Sequence, residues 1–294
     1  MNHEIVPKSV GTHDGSFHAD EVTACSLLLL YKLIDKDKII RTRDPEALAR
    51  CEYVCDVGGI YDPSKKKFDH HQTSYTGPLS SAGMVWKYFQ DTGIINPAMY
   101  RYLNGILIQG IDAHDNGVVE IESGFFSFSQ VVSNFLPIEG NACPKAFQET
   151  FLSAFDFVYY QLQQLQKKYL YTQSCKEKVK QCMEKSKLAL VFDESIPWMD
   201  NFFELGGEGH PALYVVMPTG IHWKVRGIPP SVRDKMRVRR PLPEEWAGLH
   251  EKELQKKTGI AGAIFCHKGR FISIWQTRED AMKALAVLLS KEEE

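Results

Sequence analysis

Asp69-His70-His71 is the densest chemical signal in this chain. One carboxylate and two imidazoles stand side by side, directly after a Pro63-Ser64-Lys65-Lys66 turn. Burying such groups costs free energy unless they are paired or coordinated, and a solvated loop has no need of them. A lone histidine is more often plain surface or core than a ligand, so the reading depends on company. Two further clusters supply it. His13, Asp14, His18 and Asp20 fall within eight residues, and Asp112, His114 and Asp115 within four. Asp56 stands alone, just before Gly58-Gly59.

Carboxylates and imidazoles without thiolates suit Mn²⁺, Mg²⁺, or Fe and Zn in a hydrolytic role, rather than structural zinc. Six or more such ligands exceed what one divalent ion takes from protein while it also holds water. Two ions roughly 3.5–4 Å apart would use them all. A pair needs a bridging carboxylate, and Asp56 is the natural one. Water acidified there attacks phosphorus in line, while the ions and nearby cations absorb charge on the other oxygens. Of the paired imidazoles, one can bind metal while its neighbour contacts the scissile phosphate.

The elements that must position these groups read as α/β. Residues 8–13, 38–42 and 52–57 are expected strands, with helices over 22–33 and 45–50. The His13–Asp20 cluster then lies in a strand-to-helix connection and Asp56 at a strand's carboxyl end, where α/β folds bind ligands. Helices follow at 80–89 and 96–111, the second opened by Pro97 at a first-turn position. Asp112 and Asp115 share a face if that helix continues. Apolar residues from Phe147 to Tyr169 recur at three and four, predicting an amphipathic helix over 142–183. It fits either a domain connector or a dimer element. Strands are expected from Leu188 to Phe192, then at 212–217, 222–228, 262–267 and 270–275. A last helix over 278–289 runs into a frayed acidic tail, Lys291–Glu294. The expected organisation is a catalytic domain (1–135), a helical connector (136–187) and a smaller α+β domain (188–294).

With 294 residues and 44% hydrophobic content, there is ample core material. The net charge of −2 gives no global preference for nucleic acid. It conceals a local patch: from Lys224 to Arg240, seven cations meet one acid. Phosphate binding is the functional reading, with Arg226, Arg237, Arg239 and Arg240 as contacts; a solvated basic loop is the plain one. Gly206-Gly207-Glu208-Gly209-His210 could offer amides to an anion. Seven cysteines at irregular spacing argue against a disulfide framework and for a reducing cytoplasm. Cys51 and Cys55 lack a second pair and read as thiols on or beside a buried strand. The most apolar run, Ala24–Leu33, is too short to span a bilayer, and Met1–Ile5 opens neither a signal peptide nor a presequence.

Asp69-His70-His71, an upstream His/Asp motif, an isolated Asp and a downstream Asp together resemble the DHH phosphoesterase superfamily. Within it, the stretch from Gly11 to Glu21 and Phe68–Gln72 closely resemble the melanocyte-proliferating-gene family of metal-dependent exonucleases. Arg240–Leu249 and Gly259–His267 do so as well, and the similarity runs from about residue 9 to 289. The resemblance implies a DHH-type parallel-sheet domain with two Mn²⁺-like ions, Mg²⁺ or another divalent ion serving as alternatives. It implies 3′-to-5′ exonuclease-like hydrolysis of RNA or short oligonucleotides. Carried over by motif, His13, His18, Asp20, Asp56, His70 and Asp112 are the metal ligands. Asp69, His70 and His71 are the catalytic set. His71, His114 and His267 join the four arginines as substrate contacts. The superfamily often has Asp where His18 stands. Two readings compete: a small phosphoester hydrolase or manganese pyrophosphatase, and a non-catalytic nucleic-acid-binding protein with a structural metal site.

Overall fold

A computed structural model describes residues 4–120, 122–139, 142–235 and 237–290. Residues 1–3, the acidic tail 291–294 and Met236 in the basic stretch lie outside the described residues. The chain divides into two compact units, Met1–Tyr169 and Leu170–Glu294.

The first unit is built on a five-stranded sheet. β1 (Val6–Thr12) lies between β2 (Ile39–Arg41) and β3 (Cys51–Cys55), and pairs parallel with both. β5 (Lys67–Phe68) adds parallel to β3, and β4 (Tyr61–Asp62) closes the edge antiparallel. The second half of β1 is buried on both faces, as a parallel sheet with covered faces requires. Gly11 sits there because a Cβ would come within 2.6 Å of Leu48 Cδ2 on α2 (Pro45–Ala49). α1 (Ala19–Leu30) is buried along most of its length, so its apolar residues follow no single stripe. It packs on α3 (Ser81–Asp91), and the two share a core with Phe17, Phe68, Trp86 and Phe89.

The helix expected over 96–111 has three parts. α4 (Pro97–Leu103) continues through a π-helical segment, Asn104–Ile108, into α5 (Gln109–Asp115). Such widened turns recur at functional sites. α6 (Phe128–Ser133) follows, with Ser127 and Gln130 forming a reciprocal cap. The long helix α7 (Pro144–Ser174) packs Phe151, Phe155, Val158 and Leu162 into the same core. The expected connector, 136–187, is thus divided: most of α7 belongs to the first core. Its last turn and α8 (Lys176–Lys185) belong to the second unit, where Cys175 and Val179 join the core.

The second unit has its own mixed sheet. β6 (Ala189–Val191) pairs parallel with β7 (Tyr214–Thr219), then β8 (His222–Gly227), β10 (Ile272–Trp275) and β9 (Ala263–Cys266) follow antiparallel. One core gathers Leu190, Val215 and Phe202 of α9 (Met199–Glu204). Another gathers Trp246, Trp275 and Leu254 of α10 (Glu251–Thr258) with Leu285 of α11 (Arg278–Ser290). The architecture is α/β, as expected, with a mostly parallel first sheet. Among the described residues no helix is long and apolar enough to cross a membrane. Cys51 and Cys55 are both buried on β3.

Arg239, expected to meet phosphate, is committed elsewhere. Its guanidinium donates to the carbonyls of Pro229, His210, Ala212, Gly207 and Glu208, and lies 5.5 Å from the Phe202 ring centre. Those bonds occupy all the donors that arginine has. It ties the glycine-rich 206–210 turn to the strand edge. Arg237 instead is 81% exposed, and its guanidinium lies 3.4 Å from Asp234 Oδ2. Arg239→Ala is expected to lower the unfolding free energy by about 2–3 kcal/mol, through orphaned carbonyls. Arg237→Ala should leave the urea midpoint unchanged; equal effects of the two would refute the distinction.

Candidate metal centre

Three neighbouring parallel strands deliver the site to one edge of the sheet. β1 is followed directly by His13, β3 by Asp56, and β5 by Asp69-His70-His71. Carboxyl ends of adjacent parallel strands open on a common crevice. α1 starts there: His18 is its N-cap, and the Glu21 carboxylate accepts from the His18 backbone N–H at 2.9 Å. That turn fixes Asp20 and Glu21, both wholly buried. Asp56 adopts a left-handed backbone, φ 59°. The conformation costs free energy in a non-glycine residue and persists where surroundings enforce it.

Two imidazoles converge on Asp56. His13 Nε2 lies 3.2 Å from Asp56 Oδ2 and 3.2 Å from Glu21 Oε1. His70 Nε2 lies 3.3 Å from Asp56 Oδ1, 3.0 Å from Asp115 Oδ2 and 4.0 Å from Asp20 Oδ2. None of the groups around His70 Nε2 is aligned for a hydrogen bond despite these distances. His13 Nδ1 lies 3.0 Å from the Asp14 carbonyl, which can only accept. The Nδ1 proton therefore stays, and Nε2 is the end turned to the carboxylates.

Electrostatics follow from this crowding. Burial works against a charged His13, but the bonds to Asp56 and Glu21 prevail and raise its pKa to about 10. Contact with Asp115 and Asp56 raises His70 to about 10, against its burial. Burial alone would raise Asp56; its contacts with His13 and His70 instead bring it well below the usual carboxylate range. Asp20 goes the other way: burial first, then the charges of Asp56, Glu21 and Asp115, hold its carboxyl well up. Among the described residues neither Asp20 oxygen has a hydrogen-bond partner. A buried carboxylate facing three others is a large uncompensated cost, which a multivalent cation removes.

The donor atoms fit such a cation. Those of His13, His18, Glu21 and Asp56 all lie within 4.8 Å of one another. The same holds for Asp56, His70 and His71, and for His18, Asp20 and Asp115. Asp56 and His18 each belong to two groups. Oxygen and imidazole donors without thiolate match hard and borderline divalent ions. A cavity of about 820 Å³ opens beside them, bordered by His13, His18, Asp56, His71 and Arg43.

Asp69 pairs with His71, whose Nδ1 also lies 3.5 Å from Asp56 Oδ1. Asp69 Oδ1 contacts His71 Nδ1 at 2.8 Å and accepts from the His71 backbone N–H at 3.1 Å. Its Oδ2 accepts from Gly59 N–H at 2.6 Å. Asp69 is thus consumed in orienting His71, whose side chain is 61% exposed toward the cavity.

Asp112 is placed apart from the clusters of donors. Its Oδ1 accepts from the Ser80 N–H, the Ser80 hydroxyl and the Gly83 N–H at 3.0, 2.7 and 3.0 Å. It caps α3, a role natural for a carboxylate at a helix N-terminus. A Cβ on Gly83 would meet its Oδ2 at 2.2 Å, so glycine is required there. Asp115, one turn later, is the residue that faces His70 and Asp20. His114, between them, joins none of these groups. Arg226 and His267 lie in the second unit. Arg226 on β8 is half-buried with its Nε unpartnered, and His267 Nδ1 accepts from Gly269 N–H in a turn. Arg240 has an interaction of its own.

Glu21 and Arg43 were not singled out by type and spacing. Glu21 stands in the dense His13–Glu21 stretch, but its neighbours overshadow it. Nothing in the sequence marks Arg43, which reaches Asp14 Oδ1 at 3.4 Å.

The chain is 51% identical to the MYG1 protein of Chlamydia muridarum over 289 residues, covering 98% of each. It is 29% identical to the human protein named MYG1 exonuclease over 332 residues, covering 98% of this chain and 87% of that one. Among solved structures, RecJ of Thermus thermophilus with Mn²⁺ matches at a TM-score of 0.29 and 11% identity. The match covers 97% of this chain and 52% of RecJ, and so slight a likeness carries no weight. The MYG1 exonuclease family model, described as uncharacterised protein family UPF0160, matches residues 9–288. With that span and identities of this size, the chain belongs to the MYG1 exonuclease family.

Proposed function

We propose that this chain is a metal-dependent phosphodiesterase that removes nucleotides from RNA or short oligonucleotides, 3′ to 5′, with two divalent cations, Mn²⁺ foremost. One observation carries the reading: Asp20 is wholly buried, without a hydrogen-bond partner among the described residues, and flanked by Asp56, Glu21 and Asp115. The relatives in human, mouse and cattle bear the name MYG1 exonuclease, which supports the choice of substrate.

His13, His18, Glu21 and Asp56 would hold one cation, and Asp20, His70 and Asp115 a second. Cations there supply Lewis acidity, lowering the pKa of a water and offsetting phosphate charge. The chain's own residues do the rest. Asp69 holds the Nδ1–H of His71 and leaves Nε2 to the cavity, where a ring carrying both protons would hold the phosphate through Nε2–H, or pass that proton to the departing oxygen and become neutral. Arg43 borders the same cavity and offers a positive charge to a phosphate. Within the second unit, Arg226 and Arg237 are proposed phosphate contacts.

Labelled oligonucleotide incubated with Mn²⁺ should release mononucleotides, and chelator should stop it. Asp56→Ala or His70→Ala should lower the rate by more than about 100-fold while the fold persists, since even outer residues of metal sites cost about 10–100-fold. Asp69→Asn should fall in that lower range, with metal affinity intact. Cleavage of pyrophosphate alone would favour a small phosphoester substrate; inertness of wild type with every divalent ion defeats the hydrolase reading.

The metal-free protein should also carry a pH signature. His13 and His70 rise from an ordinary 6.5 to about 10 in the fold. Folded values above unfolded ones stabilise fully below 6.5, and that stability is lost as pH climbs through 10. Bound cations displace those protons. The urea midpoint of chelated protein should therefore fall between pH 7 and 10, and Mn²⁺ affinity should rise across the same interval. A flat midpoint with pH-independent affinity contradicts the assignment.

A further inference from the structure

A second cavity lies against the first. Pro45, Leu48, Val57, Gly58, Ile60 and Lys67 line a mostly apolar slot of about 230 Å³. Val57 and Gly58 also line the large cavity beside the metal ligands. The segment from Asp56 to Ile60 is therefore a partition with a site on either side. It is made bare by design of its backbone. Gly58 and Gly59 take φ of 95° and 69°, which side chains resist. A Cβ on either would meet nothing within 4 Å, so open space adjoins the ridge. A molecule held at the metal ligands can cross it unobstructed.

The slot's walls say what crosses. Ile60 is 52% exposed, a large apolar side chain that the core does not use. Lys67 is half-buried on β5 with no carboxylate partner among the described residues, and burial lowers its pKa. Drug-sized ligands need roughly 300–1,000 Å³; this slot takes a ring, not a whole nucleotide. An apolar slot with one unpaired amine donor matches a flat heterocycle that carries ring-nitrogen or carbonyl acceptors. Aliphatic walls hold such a ring by taking its face out of water, and every base has a face to offer.

We infer that this slot receives the nucleobase of the residue whose phosphate lies at the metal ligands, packing it on Ile60 and Val57 and meeting its acceptors with Lys67. The inference rests on the proposed function and narrows its substrate class: phosphoesters that carry a base are preferred over bare sugar phosphates.

Calorimetry of the Mn²⁺-loaded full chain tests it. Adenosine and uridine 5′-monophosphates should bind about tenfold tighter than ribose 5-phosphate, as expected when roughly 60 Å² of ring face leaves water for an aliphatic wall. Ile60→Glu and Lys67→Met should bring that ratio toward one; Ile60 is exposed already, so its variant should fold. A wild-type ratio near one, including failure of the nucleotides to bind, overturns the slot, as does a ratio kept in both variants. Oligonucleotide cleavage separates the two readings. Cleavage without base preference sinks the slot alone. Base preference without cleavage upholds the slot and sinks the hydrolase.

Discussion

Four carboxylates share one buried place, and the structure around them makes sense only if positive charge enters it. Asp20, Glu21 and Asp56 are buried to within two per cent, and Asp115 leans on the same imidazole as Asp56. Without cations, protons on His13 and His70 balance part of this charge. They leave both Asp20 oxygens without partners among the described residues. Desolvating an ion costs several kcal/mol even after relaxation, so the arrangement is expensive as packing and sensible as a cation site.

The sheet enforces this expense. Parallel pairing of β1, β3 and β5 brings three strand ends to one edge, and each leads into a ligand type. The register leaves little choice, because slipping by one residue would turn Asp56 from the edge and a core residue into it. Two carboxylates pin the surroundings instead of joining the cluster. Asp69 locks His71, and Asp112 holds the start of α3. The strained Asp56 backbone and the glycines after it are the cost of placing a bare ridge between metal ligands and slot.

Much of this was legible in the sequence, and the rest was hidden for physical reasons. Strands β1, β2 and β3 and helices α1 and α3 follow from apolar runs closed by Gly, Pro and Ser. The two-residue strands β4 and β5 are too short for any periodicity to register. The clustering of His13, His18, Asp56 and His70 is reached through local spacing plus strand ends. The choice between Asp112 and Asp115 is not. Their i, i+3 spacing puts both on one helix face, yet Asp115 meets His70 while Asp112 meets Ser80 and Gly83. Only the contact to Ser80, thirty-two residues away, separates a cap from a ligand. Arg239 misled for a similar reason: a cation in a basic stretch looks free until its carbonyl partners, some thirty residues upstream, are seen.

The central claim is that the cluster is a site for two cations with Asp56 among its ligands. Titrating metal-free protein with Mn²⁺ in a calorimeter tests it most directly. The account predicts close to two ions per chain, with Asp20→Asn reducing the count and Asp56→Ala weakening binding. No binding to the folded wild type, or binding that both substitutions leave untouched, would contradict it.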